Sequence, residues 1–396
     1  MLIKNISVLF EEELDYYFEL DIRIENDKFV KIKPNIKPEK NEKIINGEGL
    51  LLIPGFVNCH THIGDSIGKD FTINSSVDQR IHPVFGIKTK ILKNSSSNNL
   101  SNFIKNSCHS MIRKGITTFV DFREGGLDGV KLLRDSTASI PIRAIILGRV
   151  DFYNNSKEIK NNSSFPVERN SELNQILEQS DGLGISGANE YSDSNLNHFS
   201  KIKKIRAIHS SETLESVKNS LKITGKSETI RALKLKPDFL VHMTFASTND
   251  LKKAAKITRG IVVCPRANAS LAEGIPDIEL MKKAGCTIGI GTDNVMINSP
   301  DMFREMDYLW KVTMGVNKKR IEPKEILKMA TVNGEKILQK KIGIIKEGYL
   351  ADCIFIDKHS IDLEIMHNPY AAIVHRASET SIRAVMTGGK IVHGKI

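Results

Sequence analysis

The chain has 396 residues, of which 40% are apolar and 26% charged, and its formal net charge is +10. That length exceeds one small domain, and that apolar share can build a core, so a disordered or fibrous chain is excluded. The positive charge is scattered, with short clusters only at 201–204 and 318–320 and no aromatic interleaving, so it reads as a solvated basic surface and not as a nucleic-acid footprint.

In chain order, residues 1–50 alternate polar and apolar in short runs such as LIKNISVLF, FELDIRIEND and FVKIKP. With Asn26-Asp27 at a turn, this is the pattern of β-hairpins. Residues 51–58, LLIPGFVN, are a short apolar run that predicts a buried strand. Residues 65–100 are rich in Ser and Asn and loop-like, with a short helix near 86–93. Strand and helix then alternate. Helix 101–114 precedes strand 116–122, helix 127–134 precedes strand 142–148, and helix 171–179 precedes strand 182–186. Helix 196–204 leads to strand 205–209, helices within 213–236 to strand 238–242, helix 249–256 to strand 260–264, and helix 278–284 to strand 287–293. Residues 151–168 are polar and read as a surface insertion. The last stretch returns to hairpin patterning, with CIFID and then IRAVMTGGKIVHGKI turning at Gly388-Gly389.

Regular alternation argues a parallel sheet covered by helices, and counting 51–58 there are eight strands, the number of a closed barrel. The expected fold is α/β: a (β/α)8 TIM barrel over 51–342, with a small composite β-sandwich domain from both termini, 1–50 plus 343–396. Five cysteines (Cys59, Cys108, Cys264, Cys286 and Cys353) are odd in number and form no C-x-x-C pair, as reduced core thiols would. No run approaches membrane-spanning length, and the N-terminal MLIKNISVLFEEELDYYF has acids where a signal peptide needs an apolar stretch. A cytoplasmic protein with no membrane partner is expected.

Side chains alternate along a strand, so His60 and His62 in HTH point to one face. Two imidazoles side by side are half of a divalent-metal site, but the spacing alone is a weak motif. It gains weight from what ends the later strands: His209 on the fifth, His242 on the sixth and Asp293 on the eighth. A (β/α)8 barrel gathers such strand ends at one mouth. His60, His62, His209 and Asp293 would hold a single Zn²⁺ or Fe²⁺ with room for water, lowering that water's pKa toward neutrality. Glu212, three residues after His209, is placed as general acid–base shuttle, and also as an acid complementing the next helix dipole. His242 reads as a second electrophilic group, with a fourth-imidazole role as the alternative. Asp293 would also accept the attacking water's proton. His82, His109, His198, His359, His367, His375 and His393 lie in loops, helices or the β domain and are assigned structural or surface roles.

At these residues the chain resembles the amidohydrolase superfamily, in the branch of cytosine, guanine and S-adenosylhomocysteine/methylthioadenosine deaminases and triazine chlorohydrolases. The resemblance runs through PGFVNCHTH (54–62), HSSE (209–212), VHMTFAS (241–247), CPRANASLAEGIPDIELMKKAG (264–285), GIGTDN (289–294), ATVNGEKIL (330–338) and IGIIKEGYLADCIFID (342–357). It implies the same barrel with a composite β domain, metal ligands at His60, His62, His209 and Asp293, a proton-shuttle glutamate at Glu212 and the strand-six histidine at His242. Relatives with two metals use a bridging lysine on strand four. GLGISG has none, which implies one metal. There are departures. The Pro-x-Glu that holds ribose hydroxyls in adenosine-type deaminases falls on His82-Pro83-Val84-Phe85-Gly86, which carries no acid. The Cys-Pro-x-Ser-Asn after strand seven is Cys264-Pro265-Arg266-Ala267-Asn268, without the serine.

Candidate substrate contacts lie just past the strands: Arg123 and Glu124, Arg149, Asn189 and Glu190, Arg266 and Asn268, with Lys88 as a weaker one. Each alone also fits a surface or structural role. Arg149 and Arg266 would suit a phosphate or carboxylate. The expected activity is that of a mononuclear metal-dependent aminohydrolase, zinc first and iron second, which uses a metal-activated hydroxide on an amino-substituted N-heterocycle and releases ammonia. The alternative is cyclic C–N opening of the imidazolonepropionase kind, or dechlorination, on the same site. A catalytically dead scaffold would have lost ligands, and this chain keeps them. The H-x-E…P-C-x-x-C signature of nucleic-acid deaminases is missing. The expected partner is a small heterocycle, with no nucleic acid; a homodimer is the assembly that family likeness suggests.

Overall fold

The computed structural model describes every residue of the chain except Thr72. Its centre is a ring of parallel strands: Phe56–His62, Ile116–Arg123, Arg143–Gly148, Gly182–Ile185, Ile205–Ser210, Phe239–His242, Gly260–Val263 and Ile288–Ile290. The two-residue strand Asp293–Asn294 continues the last of these and pairs back onto the first, with Asp293 opposite Thr61. The ring is therefore closed. The strands are buried on both faces and read as mostly apolar runs broken by a few buried polar residues such as Asp121 and His242. Val57, Val120, Phe122, Leu147, Phe239, Val241 and Val262 fill the inside. Phe119, Ile146, Ile208, Leu240 and Ile261 face the outer helices.

The remaining strands form one mixed sheet from both termini. Its order is Lys390–Gly394, Ile382–Thr387, Cys353–Asp357, Leu50–Pro54, Leu2–Phe10, Asp15–Glu25 and Lys28–Lys33, and Ile44–Asn46 also pairs with Leu2–Phe10. Gly388 and Gly389 have φ of 54° and 73°, the double left-handed geometry of a tight hairpin turn. Among the described residues no helix is long and apolar enough to cross a membrane.

Four expectations need revision. The run 51–58 is two strands: Leu50–Pro54 pairs in the terminal sheet, and the barrel's first strand begins at Phe56. The break falls at Gly55, where a β-carbon would lie 2.3 Å from Thr117 Oγ1, so only glycine lets the chain cross there. Second, residues 63–94 carry more structure than expected. Besides the expected helix, found at Ile87–Asn94, they contain Ile63–Gly68 and Val77–Ile81, with Ser76 and Gln79 forming a capping box. Third, 151–168 is not merely a surface insertion. Phe165 is buried and packs on Phe152 and Phe199, and buried Asn154 accepts hydrogen bonds from Ser192 N and Asn195 Nδ2. Fourth, the helix expected at 196–204 is Asp193–Phe199, begun by Ser192 capping Asn195 N. The C-terminal stretch also contributes a helix, Pro369–His375, whose His375 ring lies 4.0 Å from that of Trp310 on the barrel.

Candidate active site

Period-two alternation along the first barrel strand sends His60 and His62 to the same side. His209, ending the fifth strand, meets both: its Nε2 lies 3.2 Å from His60 Nε2 and 3.3 Å from His62 Nε2. Asp293 Oδ1 lies 3.3 Å from His60 Nε2 and 3.7 Å from His62 Nε2. His242 Nε2 is 3.5 Å from Glu212 Oε2 and 4.0 Å from Asp293 Oδ2. Both His242 and Asp293 sit at left-handed backbone angles, φ 71° and 60°. Such strain costs about 1–3 kcal/mol per residue and persists where the surroundings force it, as at working sites.

Tautomers decide what this cluster can hold. His62 Nδ1 faces Phe122 O at 3.1 Å, and His209 Nδ1 faces Ile185 O at 3.0 Å. A carbonyl only accepts, so both Nδ1 atoms carry hydrogen and both Nε2 atoms present lone pairs. Two lone pairs then confront each other at 3.3 Å, beside a carboxylate whose buried Oδ2 has no hydrogen-bond partner. That arrangement is repulsive alone and fits a divalent cation between them. Burial pushes the His60 ring down to about 3 despite its Asp293 contact, and burial with three neighbouring imidazoles holds His209 well below its ordinary value. Burial disfavours charge on Asp293, yet its contacts with His60, His242 and His62 keep the carboxyl well below the usual range. His60 and His209 are thus held neutral beside an ionised carboxylate, the form in which these groups bind metal.

Glu212 follows left-handed Ser211 and precedes Thr213, which caps helix Leu214–Thr224. Burial, with the Asp293 carboxylate nearby, pushes its carboxyl up to about 7, while His242 opposes. Its buried Oε1 has no hydrogen-bond partner. The group faces a cleft that His62, His209, His242 and Asp293 also line.

The substrate candidates divide. Arg149, Asn189 and Glu190 line the cleft, as do Glu124 and Lys88. Burial, with neighbouring Glu228, pushes Glu190 up to about 7. Arg123 does not reach the cleft: it is buried, its Nε donates to Gly129 O, and it fills the space beside Gly64. Arg266 is also outside the lining. The helix Pro265–Ser270 turns it onto buried Glu305 at 3.2 Å, with Ser299 O and Asn298 Oδ1 as further acceptors. Asn268 sits behind the site, where its Oδ1 accepts from His242 Nδ1 at 3.2 Å and its Nδ2 donates to Thr244 Oγ1. It orients the imidazole. His82, assigned a surface or structural role from sequence, lines the cleft and stacks on Phe85 at 3.7 Å.

Sequence reasoning passed over several supports. Asp121 Oδ2 accepts from Ile63 N and Thr61 Oγ1, pinning the end of the histidine strand. Asp65 accepts from Asn294 Nδ2 and Met296 N, fixing the loop after Asp293. Glu228 accepts from Ser211 N and Ser216 Oγ beneath Glu212. An acid inside the otherwise apolar stretch 119–122 of a strand was the only sequence signal for Asp121; the others lie in segments without one.

The chain belongs to the amidohydrolase family, whose sequence model matches residues 51–392. It is a hydrolase acting on carbon–nitrogen bonds. It is 37% identical over 352 residues to a putative aminohydrolase of Methanothermobacter thermautotrophicus, covering 88% of each chain. It is 28% identical over 405 residues to the 5-methylthioadenosine/S-adenosylhomocysteine deaminase of Pyrococcus horikoshii, covering 94% of this chain and 90% of that one. Among solved structures, atrazine chlorohydrolase from Arthrobacter aurescens complexed with zinc superposes with a TM-score of 0.86 at 17% identity. The match covers 99% of this chain and 95% of that one, a likeness of fold.

Proposed function

We propose that this protein is a mononuclear metal-dependent aminohydrolase that deaminates an amino-substituted N-heterocycle, a purine, pyrimidine, pterin or nucleoside-like compound, and releases ammonia. The observation that carries the reading is the pairing of the histidine–aspartate cluster with Glu212, a buried carboxyl pushed up to about 7 at the cleft wall. A divalent ion, zinc in this reading, would be held by His60, His62, His209 and Asp293 and would supply a Lewis acid and an acidified water.

The chain's own groups do the rest. Glu212 can hold a proton near neutral pH, so it can take one proton from the attacking water and deliver it to the ring nitrogen, then take the second from the added hydroxyl and deliver it to the leaving amine. Asp293 stays ionised, the form in which a carboxylate binds a cation. His242 has its Nδ1 committed to Asn268 Oδ1, which leaves Nε2 directed at Glu212 and Asp293. That nitrogen is placed to hydrogen-bond the attacking water or the substrate. Arg149 and Glu190 line the cleft walls and offer the substrate a fixed cation and a carboxyl. Five buried free thiols suit a reducing compartment, and we place the protein in the cytoplasm.

The test is ammonia release from a panel of aminated purines, pyrimidines, pterins and nucleosides, with metal-loaded and chelator-stripped protein. Metal-dependent ammonia from one ring class is the expected result. Silence across the panel from metal-loaded protein would overturn the reading.

A further inference from the structure

Glu124 ends the second barrel strand's run and touches two parts of the molecule that sequence keeps apart. Its Oε1 lies 2.8 Å from His62 Nδ1 and 2.5 Å from Lys88 Nζ, and Arg149 Nη2 lies 3.9 Å away. His62 presents its other nitrogen to His209 and Asp293. Glu124 therefore stands behind the ring, on the side away from the cluster. Lys88 belongs to helix Ile87–Asn94 in the segment that runs over the cleft from the end of the first strand, and it too is buried.

We infer that Glu124 is a positioning residue for His62 and that Lys88 is the clamp that keeps it there. The inference rests on reading His62 as a metal ligand. His62 Nδ1 faces Phe122 O at 3.1 Å and lies 2.8 Å from Glu124 Oε1. The carbonyl alone would fix the tautomer. The carboxylate adds orientation and makes the ring a stronger donor to a cation at Nε2. Lys88 prevents the carboxylate from turning into the cleft, where its side chain is 14% exposed. Because the clamp comes from the covering segment, metal retention and docking of Ile87–Asn94 reinforce each other, as linkage requires.

The test uses the full chain, stripped and reloaded with zinc, with affinity read by competition against a chromophoric chelator. Glu124→Gln keeps shape and an acceptor but removes the charge. It should bind zinc roughly ten- to a hundredfold more weakly than the parent. Lys88→Met should weaken binding in the same direction, by a smaller factor. In the parent, zinc should slow tryptic cleavage between Lys69 and Lys93, and Glu124→Gln should lose that protection. Lys346→Met, which breaks a pair with Glu12 on the terminal sheet, serves as control and should bind as the parent does. If Glu124→Gln fails to fold by circular dichroism, Lys88→Met carries the test. Parental affinity in whichever variant folds would overturn the inference while leaving the metal site standing. A parent chain that takes up no zinc would overturn the metal reading and this inference with it.

Discussion

Glu212 is where a single residue decides most. Glu212→Gln keeps volume and removes the proton carrier, so metal content should stay at parental level while turnover falls by about two to four orders of magnitude, read by metal analysis and kinetics side by side. Asn268→Ala should act through His242. It leaves a buried Nδ1 without an acceptor, at about 1–3 kcal/mol, and turnover should fall with metal content unchanged. Glu305 supplies a pH test. Burial pushes its carboxyl up to about 8, with Arg266 opposing. The folded chain then binds a proton that the unfolded chain has released, so its contribution is complete at low pH and is lost as pH rises through about 8. Relative to Glu305→Gln, the parent should lose thermal stability between about pH 5 and 8; a constant difference across that range would contradict the account. The ligand residues were legible because period two and strand ends suffice to place them. Arg266 and Asn268 were not, because one helical turn after strand seven sends the first to Glu305 and the second behind His242.

Among the elements, the walls of the cleft come from the least regular ones. The short turn Ala188–Glu190 carries Glu190, and Arg231 anchors the chain on either side of it. Arg231 is fully buried, its Nε lies 3.0 Å from Asp193 Oδ1, and its other nitrogens reach Tyr191 O and Asn189 Oδ1. Arg231→Met should destabilise the protein by about 3 kcal/mol in denaturant unfolding, since it strands buried partners. It should also raise KM more than it lowers kcat, because the wall moves and Glu212 does not. In the covering segment 63–94 the helix near 86–93 was legible and the two shorter elements before it were not. Its helices are one or two turns long, and its Ser and Asn are as common in caps as in loops. The regular strand–helix alternation after residue 101 was legible because each strand is a short, β-branched and largely apolar stretch between helical ones.

At the scale of the molecule, the terminal sheet and the barrel are tied by specific polar contacts as well as apolar packing. Asp352, fully buried, accepts from Arg143 Nε at 2.9 Å, from Arg143 Nη2 at 3.0 Å and from Gly388 N at 2.7 Å. It joins the start of the third barrel strand to the hairpin of the C-terminal sheet. Asp352→Ala should cost about 2 kcal/mol, measured by denaturant unfolding. The composite sheet was legible from hairpin patterning at both ends. The split at Gly55 was not, because LLIPGFVN is apolar on either side of the crossing and only the contact with Thr117 marks it. The whole arrangement holds Glu212 beside the histidine–aspartate set, and the reaction proposed for it is hydrolytic replacement of an amino group. The most direct measurement is product analysis from turnover in heavy-oxygen water with zinc-loaded protein. The account predicts one labelled oxygen where the amino group stood and one ammonia per product. A labelled product that keeps its amino nitrogen, with the ring opened or a halide released, would contradict it.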